Sequence, residues 1–182
     1  MVAEVVSVKD QLVAKYSNLI QGGGCVIAAK NMRIELKLAF PGIKFSVKSS
    51  KYSGGNSIRV SYEDGPLREE VESIVNKYAY GNFDGMDDSY KYSDNAFADL
   101  FGGSYYVFVE RSYSKDSVEQ AIDLVANMYG DKDKPSYEEY KNGNAYNKYP
   151  GAEESYYYNW QQLVGIQLGQ LDFFAKNVEM SA

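Results

Sequence analysis

The chain has 182 residues, 45% apolar and 24% charged, which suits one folded domain with a real core and not a disordered tail. A net charge of −6 argues against an overall basic nucleic-acid binder and leaves room only for a local basic patch. Histidine is absent and Cys25 is the single cysteine, which removes Ser-His-Asp and Cys-His catalysis, most zinc sites and any intramolecular disulfide. Tyrosine, by contrast, occurs 18 times.

The N-terminus, Met1-Val2-Ala3-Glu4-Val5-Val6, has an acid where an export signal needs positive charge. No apolar run approaches the ~18 residues of a membrane helix. The expectation is a protein of the bacterial host cytoplasm with no membrane partner.

In chain order, Val2, Val5, Val6, Leu12, Val13, Tyr16, Leu19 and Ile20 fall at helical spacing, predicting an amphipathic helix over 2–20, ended by Gly22-Gly23-Gly24. A second helix is predicted from Cys25 to Ala39, with Ala28, Met32, Leu36 and Ala39 on one stripe. Ile43 to Lys48 alternates strictly, as does Ser57 to Glu63. The pair reads as a hairpin with a long loop, with Ile43, Phe45, Val47, Ile58, Val60 and Tyr62 inward. Pro66 and the acids Glu69, Glu70 and Glu72 suit the start of a helix whose buried stripe is Val71, Ile74, Val75 and Tyr78. Residues 81–104 read as a Gly-, Asp- and Tyr-rich loop with a short helix near Asn95–Leu100. A third strand is predicted over Tyr105–Tyr113. Ser114 to Ser117 caps a helix with the stripe Val118, Ala121, Ile122, Val125 and Met128. Residues 130–154 read as polar loop, and Ser155 to Val178 as a final helix.

These elements predict an α+β fold. A small three-stranded antiparallel sheet, in spatial order 2-1-3, is packed by helices, with additional N- and C-terminal helices. The expected organisation is an N-terminal helix (1–22), an α+β core (25–129) and a Tyr-rich acidic loop with the C-terminal helix (130–182), the last forming one compact unit with the core.

Charge is segregated. Residues 30–59 hold seven bases and one acid, whereas 63–99 hold ten acids and three bases. Lys44, Lys48 and Arg59 share the sheet face opposite the apolar one, and Lys51 with Tyr52 is expected in the hairpin loop. Bases with an interleaved aromatic can hold phosphates and stack a base; the bland alternative is a solvated face with Lys blunting an edge. The loop Asp84-Gly85-Met86-Asp87-Asp88 concentrates carboxylates but lacks the spacing of a calcium loop, so no metal and no cofactor is expected. Asp64 reads as a turn or cap residue.

Glu138, Glu139, Tyr140, Tyr149, Glu153, Glu154, Tyr156 and Tyr157 lie in the most unusual stretch and are the candidate partner-binding residues. Tyrosine gives contact area at low entropic cost, and neighbouring carboxylates imitate a phosphate backbone against a basic groove. A tyrosine-lined core seam is the bland alternative. Cys25 reads as a buried structural thiol.

Three motifs bear a resemblance: Phe40-Pro41-Gly42-Ile43-Lys44-Phe45-Ser46-Val47, Ser53-Gly54-Gly55-Asn56-Ser57-Ile58-Arg59-Val60 with Asp64-Gly65-Pro66, and Phe83-Asp84-Gly85-Met86-Asp87-Asp88-Ser89-Tyr90. Together with Tyr106 to Ser114, they resemble a large polyvalent protein-associated domain of phages and conjugative elements, over residues ~30–114. The pattern departs at Tyr62, where the family has Trp. The resemblance implies mobile-element origin and a role in countering host defence; it carries over no catalytic residue. A second likeness, of size, charge and genetic company, is to phage inhibitors of type II CRISPR effector nucleases. The leading expectation is therefore a non-enzymatic inhibitor that binds a host CRISPR effector nuclease or its guide-RNA complex. The alternative is a nucleic-acid-binding accessory protein using Lys44, Lys48, Lys51, Tyr52 and Arg59. A hydrolase working through Asp84, Asp87 and Asp88 is a third.

Overall fold

A computed structural model describes residues 7–84, 89–92, 94–151 and 157–175. The elements in order are α1 (Val8–Lys15), α2 (Cys25–Ala39), β1 (Ser46–Tyr52), β2 (Gly55–Glu63), α3 (Arg68–Val75), β3 (Gly81–Asp84), β4 (Ser89–Tyr92), α4 (Ala96–Phe101), β5 (Tyr106–Ser112), α5 (Lys115–Tyr129), α6 (Tyr137–Lys141) and α7 (Trp160–Gln170). The chain divides into two compact units. One comprises residues up to Tyr62 together with Arg68–Glu110; the other comprises Glu63–Leu67 together with the chain from Arg111 onward.

In the first unit, α2 packs on β1, α3 and α4. Its stripe of Ala28, Met32 and Leu36 is buried as the spacing predicts, but the helix ends on an exposed Ala39 and the chain turns Phe40 inward instead. Asn31 is also fully buried on that stripe. Its amide donates to the carbonyls of Ile20 and Phe101, both at 2.8 Å, and its Oδ1 accepts from the Ile20 N–H at 2.8 Å. The clamp ties down the Ile20 backbone outside any helix, and α1 ends at Lys15 with Tyr16 as its C-cap, not at residue 20. At the same C-terminal end of α4, Gly102 has φ +84° and comes so close to the start of α2 that an added Cβ would lie 2.5 Å from the Ala28 nitrogen.

The hairpin differs from the expected long loop. Ser53 and Gly54 make a two-residue turn, Gly54 has φ +93°, and Tyr52 pairs with Gly55. Lys51 and Tyr52 therefore lie in β1. Within the strands the faces are as predicted, with Val47, Ile58, Val60 and Tyr62 buried, but β1 starts at Ser46 and not at Ile43; Ile43 and Phe45 precede it half-buried, and Phe45 packs on Tyr62 at 5.1 Å between ring centroids.

The sheet order is β1-β2-β5, with β5 parallel to β2, which corrects the expected antiparallel 2-1-3 arrangement. The connection from β2 to β5 is long and carries a helix, as parallel neighbours require. Nothing in the strand sequences distinguishes the two edges of the hairpin, so the crossover decides. Within that connection, β3 and β4 form a separate antiparallel ribbon where a loop was expected, and the backbone of Ser104 bonds that of Tyr78 and Tyr80 at its base.

The second unit buries Val118, Ile122 and Val125 of α5 against Trp160, Leu163, Val164 and Leu168 of α7. Trp160 is fully buried, and its indole N–H donates to the Lys132 carbonyl at 3.0 Å. Segment 130–154, expected as loop, contains α6. A capping box starts that helix, with the Ser136 side chain bonding the Glu139 N–H and the Glu139 carboxylate returning to Ser136. The final helix is shorter than expected. It begins at Trp160 behind an Asn159–Gln162 capping box, because the box and not the apolar pattern sets its start.

Among the described residues no helix is long and apolar enough to cross a membrane.

Candidate binding surfaces

The first surface is the outer face of the sheet. Strand alternation sends Lys48, Arg59, Phe108 and Glu110 to the side opposite Val47, Val60 and Val109, and all four are exposed. Lys48 stands directly opposite Arg59 in the β1–β2 register. Arg59 forms an ion pair with Glu110 on β5, and its guanidinium lies over the Phe108 ring, 5.7 Å from the centroid. Phe108 in turn lies parallel to Tyr106, with ring centroids 6.1 Å apart and planes 3° apart. Lys44 is exposed just before β1, and Lys51 and the half-exposed Tyr52 lie at the hairpin end. The structure thus places four of the five basic and aromatic candidates on one strand pair and Lys44 just before it; Lys48, Tyr52 and Arg59 share the outer face, whereas Lys51 alternates to the side of Val47. The structure adds Phe108, Tyr106 and Glu110, which sequence reading passed over although their i, i+2 spacing on β5 was the available signal.

The second surface belongs to the other unit and divides the acidic-tyrosine candidates. Glu138, Tyr149 and Tyr157 are exposed, as are Tyr146 and Tyr158. Glu139 is engaged internally: Lys148 Nζ donates to it at 2.7 Å, and it closes the capping box. The bond from Lys148, followed by that from Ser136, holds its carboxyl down to about 2. Tyr140 packs against the core of α5 and α7, and burial raises its hydroxyl pKa. Glu153, Glu154 and Tyr156 lie outside the described residues.

Other charged and polar candidates serve the fold. Asp64 has φ +54°, and its carboxylate accepts from the Ser114 N–H at 3.0 Å, so it fixes the turn. Arg111, which sequence reading missed, donates to the carbonyls of Asp64 at 2.7 Å, Gly65 at 2.9 Å and Leu171 at 2.6 Å. Its guanidinium also lies over the rings of Tyr113 and Phe173. Glu35 accepts from Lys77 and from the Tyr78 hydroxyl, and burial followed by that bond raises the Tyr78 pKa well above the ordinary tyrosine value. Cys25 is fully buried. Asp84 ends β3, Asp87 and Asp88 lie outside the described residues, and among the described residues no three acidic or thiol groups cluster as metal ligands.

Comparison with protein families matches residues 25–114 to the family described as large polyvalent protein associated domain 29. No curated protein and no solved structure matches.

Proposed function

Residues 25–114 belong to the large polyvalent protein associated domain 29 family, and from that premise we propose that this is a phage or mobile-element accessory protein that binds nucleic acid through its outer sheet face. The observation that carries this reading is the register. Lys48 lies opposite Arg59, and Arg59 lies over an exposed Phe108, so cations and a stacking ring share one solvent-facing patch. Cations meet phosphates and rings meet bases. Among the described residues neither Lys44 nor Lys48 has an ion-pair partner. No residue is given a catalytic role, and no cofactor is required. Gel shift at low salt tests the reading: a retarded complex that dissolves as salt rises supports it, and no shift with any nucleic acid refutes it.

A second reading is supported by the other unit. Tyr146, Tyr149, Tyr157 and Tyr158 are exposed, as is Glu138 in the same unit, a composition suited to a basic protein surface. Under this reading the protein inhibits a type II CRISPR effector nuclease by binding it or its guide-RNA complex. RNA-guided DNA cleavage then falls when the protein is added. Unchanged cleavage across a panel of type II effectors removes the specific claim.

A further inference from the structure

The Arg59 guanidinium is a permanent cation with two neighbours of different kinds. A ring lies beneath it and a carboxylate from the adjacent strand occupies it. Both partners of the ion pair are open to water, at 56% and 49% side-chain exposure, so the pair is weakly held and open to competition from another anion. Along β5 the Phe108 and Tyr106 rings lie parallel on the same face. At the hairpin end, a side chain at Gly55 would meet the rings of Tyr52 and Tyr105 at 3.1 and 3.2 Å, so aromatic surface continues there. Paired bases keep their faces inside the duplex, whereas unpaired bases can stack on rings or on a guanidinium plane.

Resting on the sheet-face reading and deepening it, we propose that the ligand is single-stranded nucleic acid, that a base stacks on the Arg59–Phe108 pair, and that Glu110 is a resident counter-anion which a backbone phosphate displaces from Arg59. Lys48, opposite Arg59, then holds a neighbouring phosphate. Glu110 is thereby a residue that sets affinity: it lowers the charge of the empty face and must yield its partner for the ligand to bind.

Fluorescence anisotropy with labelled mixed-sequence single-stranded DNA, single-stranded RNA and duplex DNA tests this on the full chain. Wild type binds single strands more tightly than duplex, and the stronger of the DNA and RNA arms names the preferred sugar. Phe108→Ala weakens single-strand binding about tenfold, within the range for loss of one base stack. Phe108→Leu, which keeps apolar bulk without a ring, weakens it similarly and separates stacking from folding. Glu110→Gln tightens single-strand binding, because the phosphate no longer has to displace a carboxylate from Arg59. Equal binding of duplex and single strand, with neutral Phe108 variants, overturns the stacking proposal and leaves the sheet-face reading standing. An unchanged or weakened affinity in Glu110→Gln overturns the displacement proposal. No binding of any probe overturns the sheet-face reading itself.

Discussion

The two units solve the same problem with different materials. The first sets a helix stripe of small and aliphatic residues, Ala28, Met32 and Leu36, beside the inner face of a sheet, which leaves the opposite sheet face open. The second closes α5 and α7 around one large side chain, Trp160, and leaves tyrosines on its outside. Each also holds a unique reporter: the only cysteine is buried in the first and the only tryptophan in the second. An open sheet face is available for a flat ligand such as stacked bases. A helix pair with a polar, tyrosine-bearing exterior is better suited to another protein.

The comparison can be broken most forcefully at the cores. Trp160→Ala should destabilise the second unit by ~3–5 kcal/mol, and Ile58→Ala the first by ~2–5 kcal/mol, both read by denaturant titration. Native-state labelling of Cys25 should accelerate in Ile58→Ala, because that thiol becomes accessible only when the first unit opens. An Ile58→Ala loss under ~1 kcal/mol, far below the usual cavity cost, would mean that the strand faces are reversed.

Arg111→Met is the next largest effect. It strips donors from the carbonyls of Asp64, Gly65 and Leu171, and each carbonyl left dry costs about 1–3 kcal/mol. Amide exchange at Phe173, whose N–H donates to Gly65, should rise with it.

A smaller effect lies at Glu139. Its folded carboxyl sits at about 2 against an ordinary 4.5, so its contribution to α6 is full above pH 4.5 and is lost as pH falls towards 2. Glu139→Gln should flatten the acid limb of stability between those values. An acid limb unchanged by the substitution would show that the Lys148 bond does not hold in solution. Smallest of all, Lys44→Glu with Lys48→Glu should leave stability within about 0.5 kcal/mol, because both positions are solvent-facing.

Periodicity alone was enough for α2, whose bounds match the expectation, and for the inward face of the hairpin. It failed where one polar side chain overrides a pattern. Asn31 sits on the apolar stripe between Ala28 and Met32, and that misplaced polarity was the sign that it binds backbone elsewhere, at Ile20 beyond the end of α1. Arg111 shares strand parity with Val107 and Val109, a signal of an inward guanidinium that sequence reading did not weigh. The β3–β4 ribbon was hidden because its strands have four residues each, too few for the alternation in β4 to stand out, and β3 shows none. Strand order was illegible because both hairpin edges offered the third strand similar chemistry. The binding surface was half legible. Its bases could be read from β1 and β2, but Phe108 and Glu110 join them only once β5 is known to neighbour β2. Conversely, composition made Glu139 and Tyr140 look like surface recognition groups, whereas a capping box and a core position account for both.

The sheet face as a nucleic-acid surface is tested most directly by comparing wild type with Lys44→Glu/Lys48→Glu for binding of labelled single-stranded DNA at low salt, with thermal unfolding of both measured in parallel. The account predicts salt-sensitive binding by wild type and none by the charge-reversed protein, at matched unfolding temperatures. Equal binding by the two proteins, or none by either, would contradict it.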